Sequence, residues 1–131
     1  MIRANNALAD KTNSTSESLT GKNVMQLPEP IQAYFDADHD LGGAAPMGTF
    51  THDAVVKDEG KTYVGHDSID AWWSAAKARY QHTVEPCEIL REGHTTIVRS
   101  RVTGRFPGSP ALLTFIFQLR DGQISALEIG A

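Results

Sequence analysis

A chain of 131 residues, 40% apolar and 21% charged, has the size and composition of one globular core. Its net charge of −4, with twelve Lys and Arg scattered singly, argues against nucleic acid, whose phosphates need clustered cations. No stretch approaches membrane-spanning length, and the single cysteine, Cys87, excludes an internal disulfide and suits a reducing, cytoplasmic compartment.

In chain order, residues 1–26 are rich in Asn, Ser, Thr and Lys and lack the continuous apolar core of a signal peptide. They read as a flexible leader, with a short helix over a pocket as the alternative. The working domain is then 27–131. Leu27-Pro28-Glu29 opens a first helix, on which Ile31, Tyr34, Phe35 and Asp38 share one face and which Gly42-Gly43 ends. Residues 44–50, with Pro46 and Gly48, support at most a short, irregular second helix. Val55-Val56 and Tyr63-Val64 predict short strands joined by a turn at Glu59-Gly60-Lys61. A third helix is N-capped by Asp67 and carries Ile69, Trp72, Trp73, Ala76 and Tyr80 at helical spacing, with Trp72 inside and Trp73 at an edge.

From Gln81 the apolar period falls to two. Strands are predicted over 82–92, 95–106, 111–120 and 123–130, punctuated by Gly93, by Pro107-Gly108-Ser109-Pro110 and by Asp121-Gly122. This order predicts an α+β domain: a curved, mixed or antiparallel sheet wrapped cone-like around about three N-terminal helices. A four-residue loop at 107–110 sets Phe106 opposite Ala111 and Val102 opposite Phe115. Val98, Ser100, Val102, Gly104 and Phe106 then share an interior face with Leu113, Phe115, Phe117 and Leu119. The other face, with Ile97, Arg99, Arg101, Leu112 and Ile116, suits a homodimer contact across Arg101 and Ile116. In the last hairpin a tight turn alone turns Glu128 inward. A bulge after Ile124 instead turns Leu127 and Ile129 inward, and is preferred because an unpaired buried carboxylate is costly.

The run Leu27-Pro-Glu-Pro-Ile-Gln-Ala-Tyr-Phe, the strand entry His52-Asp-Ala-Val-Val-Lys-Asp58, Gly65-His-Asp-Ser-Ile69, Phe106-Pro-Gly-Ser-Pro and Leu119-Arg-Asp-Gly-Gln-Ile together resemble SnoaL-like proteins of the nuclear transport factor 2-like superfamily, over about residues 27–131. The resemblance implies a cone enclosing a pocket for a small apolar or aromatic ligand. It matches Tyr34 and Asp58 to the oxyanion-hole tyrosine and general-base aspartate of ketosteroid isomerases. The chain departs from those enzymes in having no acid between Ala111 and Leu119, which argues against steroid isomerisation.

Tyr34 and Asp58 suit acid/base work, since a carboxylate in an apolar pocket titrates late and a phenol stabilises an enolate. The structural alternative makes them a core aromatic and a turn residue. Asp38, on the helix face of Tyr34, needs a buried partner or lies at the rim. Phe50, Trp72, Phe106 and Phe115 are the expected ligand-binding walls. The histidines at 39, 52, 66, 82 and 94 show no metal-ligand spacing, and Asp36-Ala-Asp38-His-Asp40 fails as a calcium loop because Leu41 stands where glycine is required. No metal or cofactor is expected. Arg99 and Arg101 face outward in this register, so the Asp–Arg–Asp arrangement of epoxide hydrolases is set aside. Three functions stay open: a cofactor-independent enzyme, a ligand-binding domain and an interaction module.

Overall fold

The computed structural model describes residues 27–39 and 43–131. The expected leader, and Gly42 of the expected helix stop, lie outside the described residues.

Helix α1 (Glu29–Asp38) begins behind Pro28, which has no N–H to leave unsatisfied, and Glu29 complements the positive helix end. It buries Ile31, Tyr34, Phe35 and Asp38, one stripe at helical spacing. Where an irregular second helix was expected there is a single 3-10 turn, Met47–Thr49. Two α-helices, not three, are thus present among the described residues. Pro46 and Gly48 are poor helix formers.

Strand β1 (Phe50–Asp58) is nine residues long, far longer than Val55-Val56, because it is paired on both edges. A two-residue turn at Glu59 and Gly60, with φ of 54° and 76°, pairs Asp58 with Lys61, so Lys61 opens strand β2 (Lys61–Val64) and is not part of the turn. Helix α2 (His66–Tyr80) starts after Gly65, whose N–H donates to the Ala54 carbonyl at 2.9 Å. Asp67 lies inside its first turn, where it favours the helix dipole, and is not the cap.

Strands β3 (Thr83–Glu92), β4 (Thr95–Thr103), β5 (Ala111–Arg120) and β6 (Gln123–Gly130) follow as an antiparallel meander. The six-stranded sheet runs β2-β1-β6-β5-β4-β3, with β1 parallel to β6, so it is mixed. Val102 pairs with Ala111 and Val98 with Phe115, four residues from the expected register. Strand β4 ends early because the Gly104 amide donates to Ser109 Oγ at 3.0 Å and the Arg105 amide to the Tyr80 carbonyl at 2.7 Å. The chain is thereby drawn toward the end of α2. A shift of four is even, so every side chain keeps its expected face. On the outer face, however, Arg101 stands opposite Leu112, and Ile97 opposite Ile116.

The last hairpin carries the bulge. Leu119 pairs with Ile124 but Gln118 with Ala126, which leaves Ser125 as the extra residue. Ile124, Leu127 and Ile129 are buried and Glu128 is exposed. The core lies between the concave sheet face and the two helices. Trp73, expected at an edge, is more deeply buried than Trp72, at 3% against 8% exposed. Its indole N–H donates to the Gly43 carbonyl at 3.0 Å, which answers the polar group and lets the ring turn inward. No helix among the described residues is long and apolar enough to cross a membrane.

Candidate functional site

Tyr34 stands at the centre of the interior, 1% exposed. Its ring meets Phe35, Trp73 and Phe117 edge-on at centroid distances of 5.2, 5.5 and 5.4 Å, and Phe50 and Phe115 at 6.2 Å each. Phe50 and Phe115 are therefore packed as a shell around the tyrosine. Phe106 is half-buried in the β4–β5 connection, edge-on to Tyr80 at 6.1 Å.

The other side of Tyr34 is polar. Asp38, one turn further along α1, is 2% exposed, and its Oδ1 lies 2.9 Å from Lys77 Nζ and 3.2 Å from His82 Nε2. Lys77 Nζ also donates to the backbone carbonyls of Asp38 and His82, the latter at 3.0 Å, and sits 5.5 Å from the Trp73 ring centroid. Three donors thus meet three acceptors. One buried lysine ties the end of α1 to α2 and to the start of β3. His82 is 4% exposed, and its second ring nitrogen, Nδ1, is buried with no hydrogen-bond partner among the described residues. An orphaned buried acceptor costs about 1–3 kcal/mol, so its persistence calls for an explanation. Backbone packing holds the histidine in place: a Cβ on Gly104 would stand 2.9 Å from both Cα and Cβ of His82 and 2.7 Å from the Tyr80 carbonyl.

Asp58 closes the arrangement from the end of β1, 4% exposed, accepting a hydrogen bond from Trp72 Nε1 at 3.0 Å. Burial raises its pKa, against the opposing pull of the Trp72 bond. Burial also raises the Tyr34 phenol well above its ordinary value, and the charges of Asp38 and Asp58 push it the same way. The phenol is consequently a proton donor across the neutral range, within electrostatic reach of a carboxyl group whose pKa is raised by burial. A late-titrating carboxyl and a protonated phenol are the kinds of group that proton exchange next to a carbonyl uses.

Between the helices lies a cavity lined by Tyr34, Asp38, Trp72, Trp73, Lys77 and His82, with Ala76 and Ile129. Its free volume is about 10 Å³, room for one water molecule. Asp58 stands one hydrogen bond behind Trp72, while Phe50, Phe106 and Phe115 lie outside this lining. Among the described residues no cluster of His, Cys, Asp or Glu could hold a metal.

Sequence reasoning did not single out Lys77 or His82. The signal for Lys77 was present, since it falls four residues after Trp73 on the same helix and Asp38 needed a partner. His82 had no such signal, because its contact with Asp38 spans 44 residues of sequence.

Residues 31–127 match the model of the SnoaL-like domain. A proposed polyketide cyclase from Sinorhizobium meliloti is 45% identical, over 81% of this chain and 97% of its own, with a TM-score of 0.75. A protein of ketosteroid isomerase-like fold from Catenulispora acidiphila, solved in complex with trimethylamine, has a TM-score of 0.70 at 19% identity, covering 81% of this chain and 87% of its own. A de novo designed protein with a curved β-sheet shares the architecture at a TM-score of 0.61 and 16% identity, over 79% of this chain and 86% of its own. No curated protein matches.

Proposed function

The chain belongs to the SnoaL-like domain family, and from that premise we propose that it binds a small, apolar or aromatic ketone and exchanges a proton beside its carbonyl. Asp58 takes the proton, the C–H pair passes into the enolate, and the Tyr34 hydroxyl donates to the enolate oxygen. The observation that carries this reading is that the buried Tyr34 phenol feels the charges of two buried carboxylates, Asp38 and Asp58, the second with its pKa raised by burial. The 45% identical relative is named for cyclisation of polyketides, chains rich in such carbonyls, which agrees with the same chemistry. Trp72 serves as a binding wall and as the donor that holds Asp58.

A cavity the size of one water does not admit a ring, so binding requires α1 and α2 to part around Trp72 and Trp73. Deuterium uptake by β-tetralone, an apolar enolisable ketone, tests the reading together with indole fluorescence. The wild-type chain is expected to accelerate uptake and to change its fluorescence on binding. D58N and Y34F each lower the rate about 100-fold or more. Binding with no exchange would leave a ligand-binding domain, and neither binding nor exchange would leave an interaction module. The outer sheet face is proposed as the contact between two copies, because Ile97, Leu112 and Ile116 stand half-buried there beside Arg99 and Arg101. A monomer in sedimentation at high micromolar concentration would refute that contact.

A further inference from the structure

We infer that His82 is a second proton-transfer group of this site, acting through Nδ1, with Asp38 as the residue that positions it. The inference rests on the proton-transfer reading above. Asp38 Oδ1 already accepts from Lys77 Nζ at 2.9 Å, so it meets His82 Nε2, at 3.2 Å, as an acceptor. Nε2 must then carry the proton, and in the neutral ring Nδ1 is left as a lone-pair acceptor. That lone pair has no partner among the described residues, although the residue is 4% exposed.

The residue is otherwise held at three points. Its backbone carbonyl accepts from Lys77 Nζ at 3.0 Å, its stem abuts Gly104, and Nε2 is bound to Asp38. A structural histidine held this firmly would be expected to satisfy both nitrogens within the protein, whereas His82 lines the water-sized cavity between the helices. One that receives a proton needs the second nitrogen unengaged and a carboxylate to steady the imidazolium that forms. Among the described residues, the charged or titratable groups around it are Asp38 and Tyr34 from α1 and Lys77 from α2, with Asp58 from β1 behind Trp72.

The step is balanced without a co-reactant. A ligand O–H or C–H breaks, its electron pair stays on the ligand, Nδ1–H forms, and the same proton returns to the product. Two acceptors, Asp58 and His82, set against one phenol donor imply a ligand with one carbonyl and a second acidic site, as in a hydroxylated aromatic ketone or a diketone.

Imidazole ¹⁵N NMR of the full chain provides the first test. His82 is expected as the Nε2–H tautomer with Nδ1 unprotonated, and D38N is expected to mix the tautomers. A proton on Nδ1 in the wild-type protein, or a tautomer unmoved by D38N, overturns the inference. The second test is β-tetralone exchange. H82Q, which keeps a donor for Asp38 but has no second ring nitrogen, is expected to lower the rate at least 10-fold while retaining the wild-type indole fluorescence. H82N serves if H82Q does not fold. Exchange that depends on Asp58 and Tyr34 but survives both His82 variants overturns the role of His82 alone. A wild-type chain that catalyses no exchange overturns the proton-transfer reading, and this inference with it.

Discussion

On the sheet side of Tyr34 the interior is built of Phe35, Phe50, Phe115 and Phe117 with Val98 and Val102; on the α2 side it is built of Asp38, Lys77 and His82, with Asp58 behind Trp72. The first half is held by many weak, interchangeable contacts. Its edge-on rings need only shape, and a neighbour can adjust to a lost methylene. The second half is held by a few specific ones. Each donor there has a named acceptor, and removing one partner strands another charge out of water. The difference teaches where this fold tolerates change and where it does not.

The largest expected break in that contrast is K77A, which leaves the Asp38 carboxylate with His82 alone and two backbone carbonyls without the lysine's N–H groups. It should cost about 3–5 kcal/mol, read as urea-denaturation stability. The double variant D38L/K77M, which removes both charges, should recover more than half of that loss. If K77A costs no more than a core truncation such as V98A, the two halves are not held differently. Next, G104A should cost about 1–3 kcal/mol, because the new Cβ meets backbone at the Tyr80 carbonyl and His82 Cα, neither of which can swing aside.

A smaller effect sharpens the polar half. Burial raises the Asp58 pKa in the folded chain, so the folded state binds that proton more tightly than the unfolded one. The stability this contributes is complete below the ordinary carboxylate range and is lost as pH rises toward the raised folded value. D58N should accordingly melt higher than wild type at pH 7, by about 2–4 °C, with the gap closing on acidification. A gap of constant size across that range would assign the effect to packing. The smallest effect belongs to the ion pair between Arg120 and Asp53, 2.6 Å apart but 53% and 68% exposed. R120A should move the melting temperature by no more than about one degree, since water and salt screen an exposed pair that the interior cannot.

Much of the aromatic half could be read from the chain. Ile31, Tyr34 and Phe35 follow from helical spacing, and Phe115 and Phe117 from alternation. The strand register was misjudged by four residues, yet the faces survived because four is an even shift. The bulge after Ile124 was legible as well, since only a bulge buries both Leu127 and Ile129. Trp73 was placed wrongly because its answering carbonyl, that of Gly43, lies 30 residues away.

The polar half divides along the same line. Sequence by itself determined that Tyr34 and Asp38 would share one helix face, because that is a property of local period, whereas Asp58 was joined to them by family resemblance, with a turn residue as the alternative. Only the tertiary structure decided that Lys77 and His82 answer Asp38 and that Trp72 answers Asp58, and it closed the space between the helices to about 10 Å³. Periodicity reports which way a side chain points along its own helix or strand. Pairing a buried charge depends on which elements meet, and no local pattern encodes that distance.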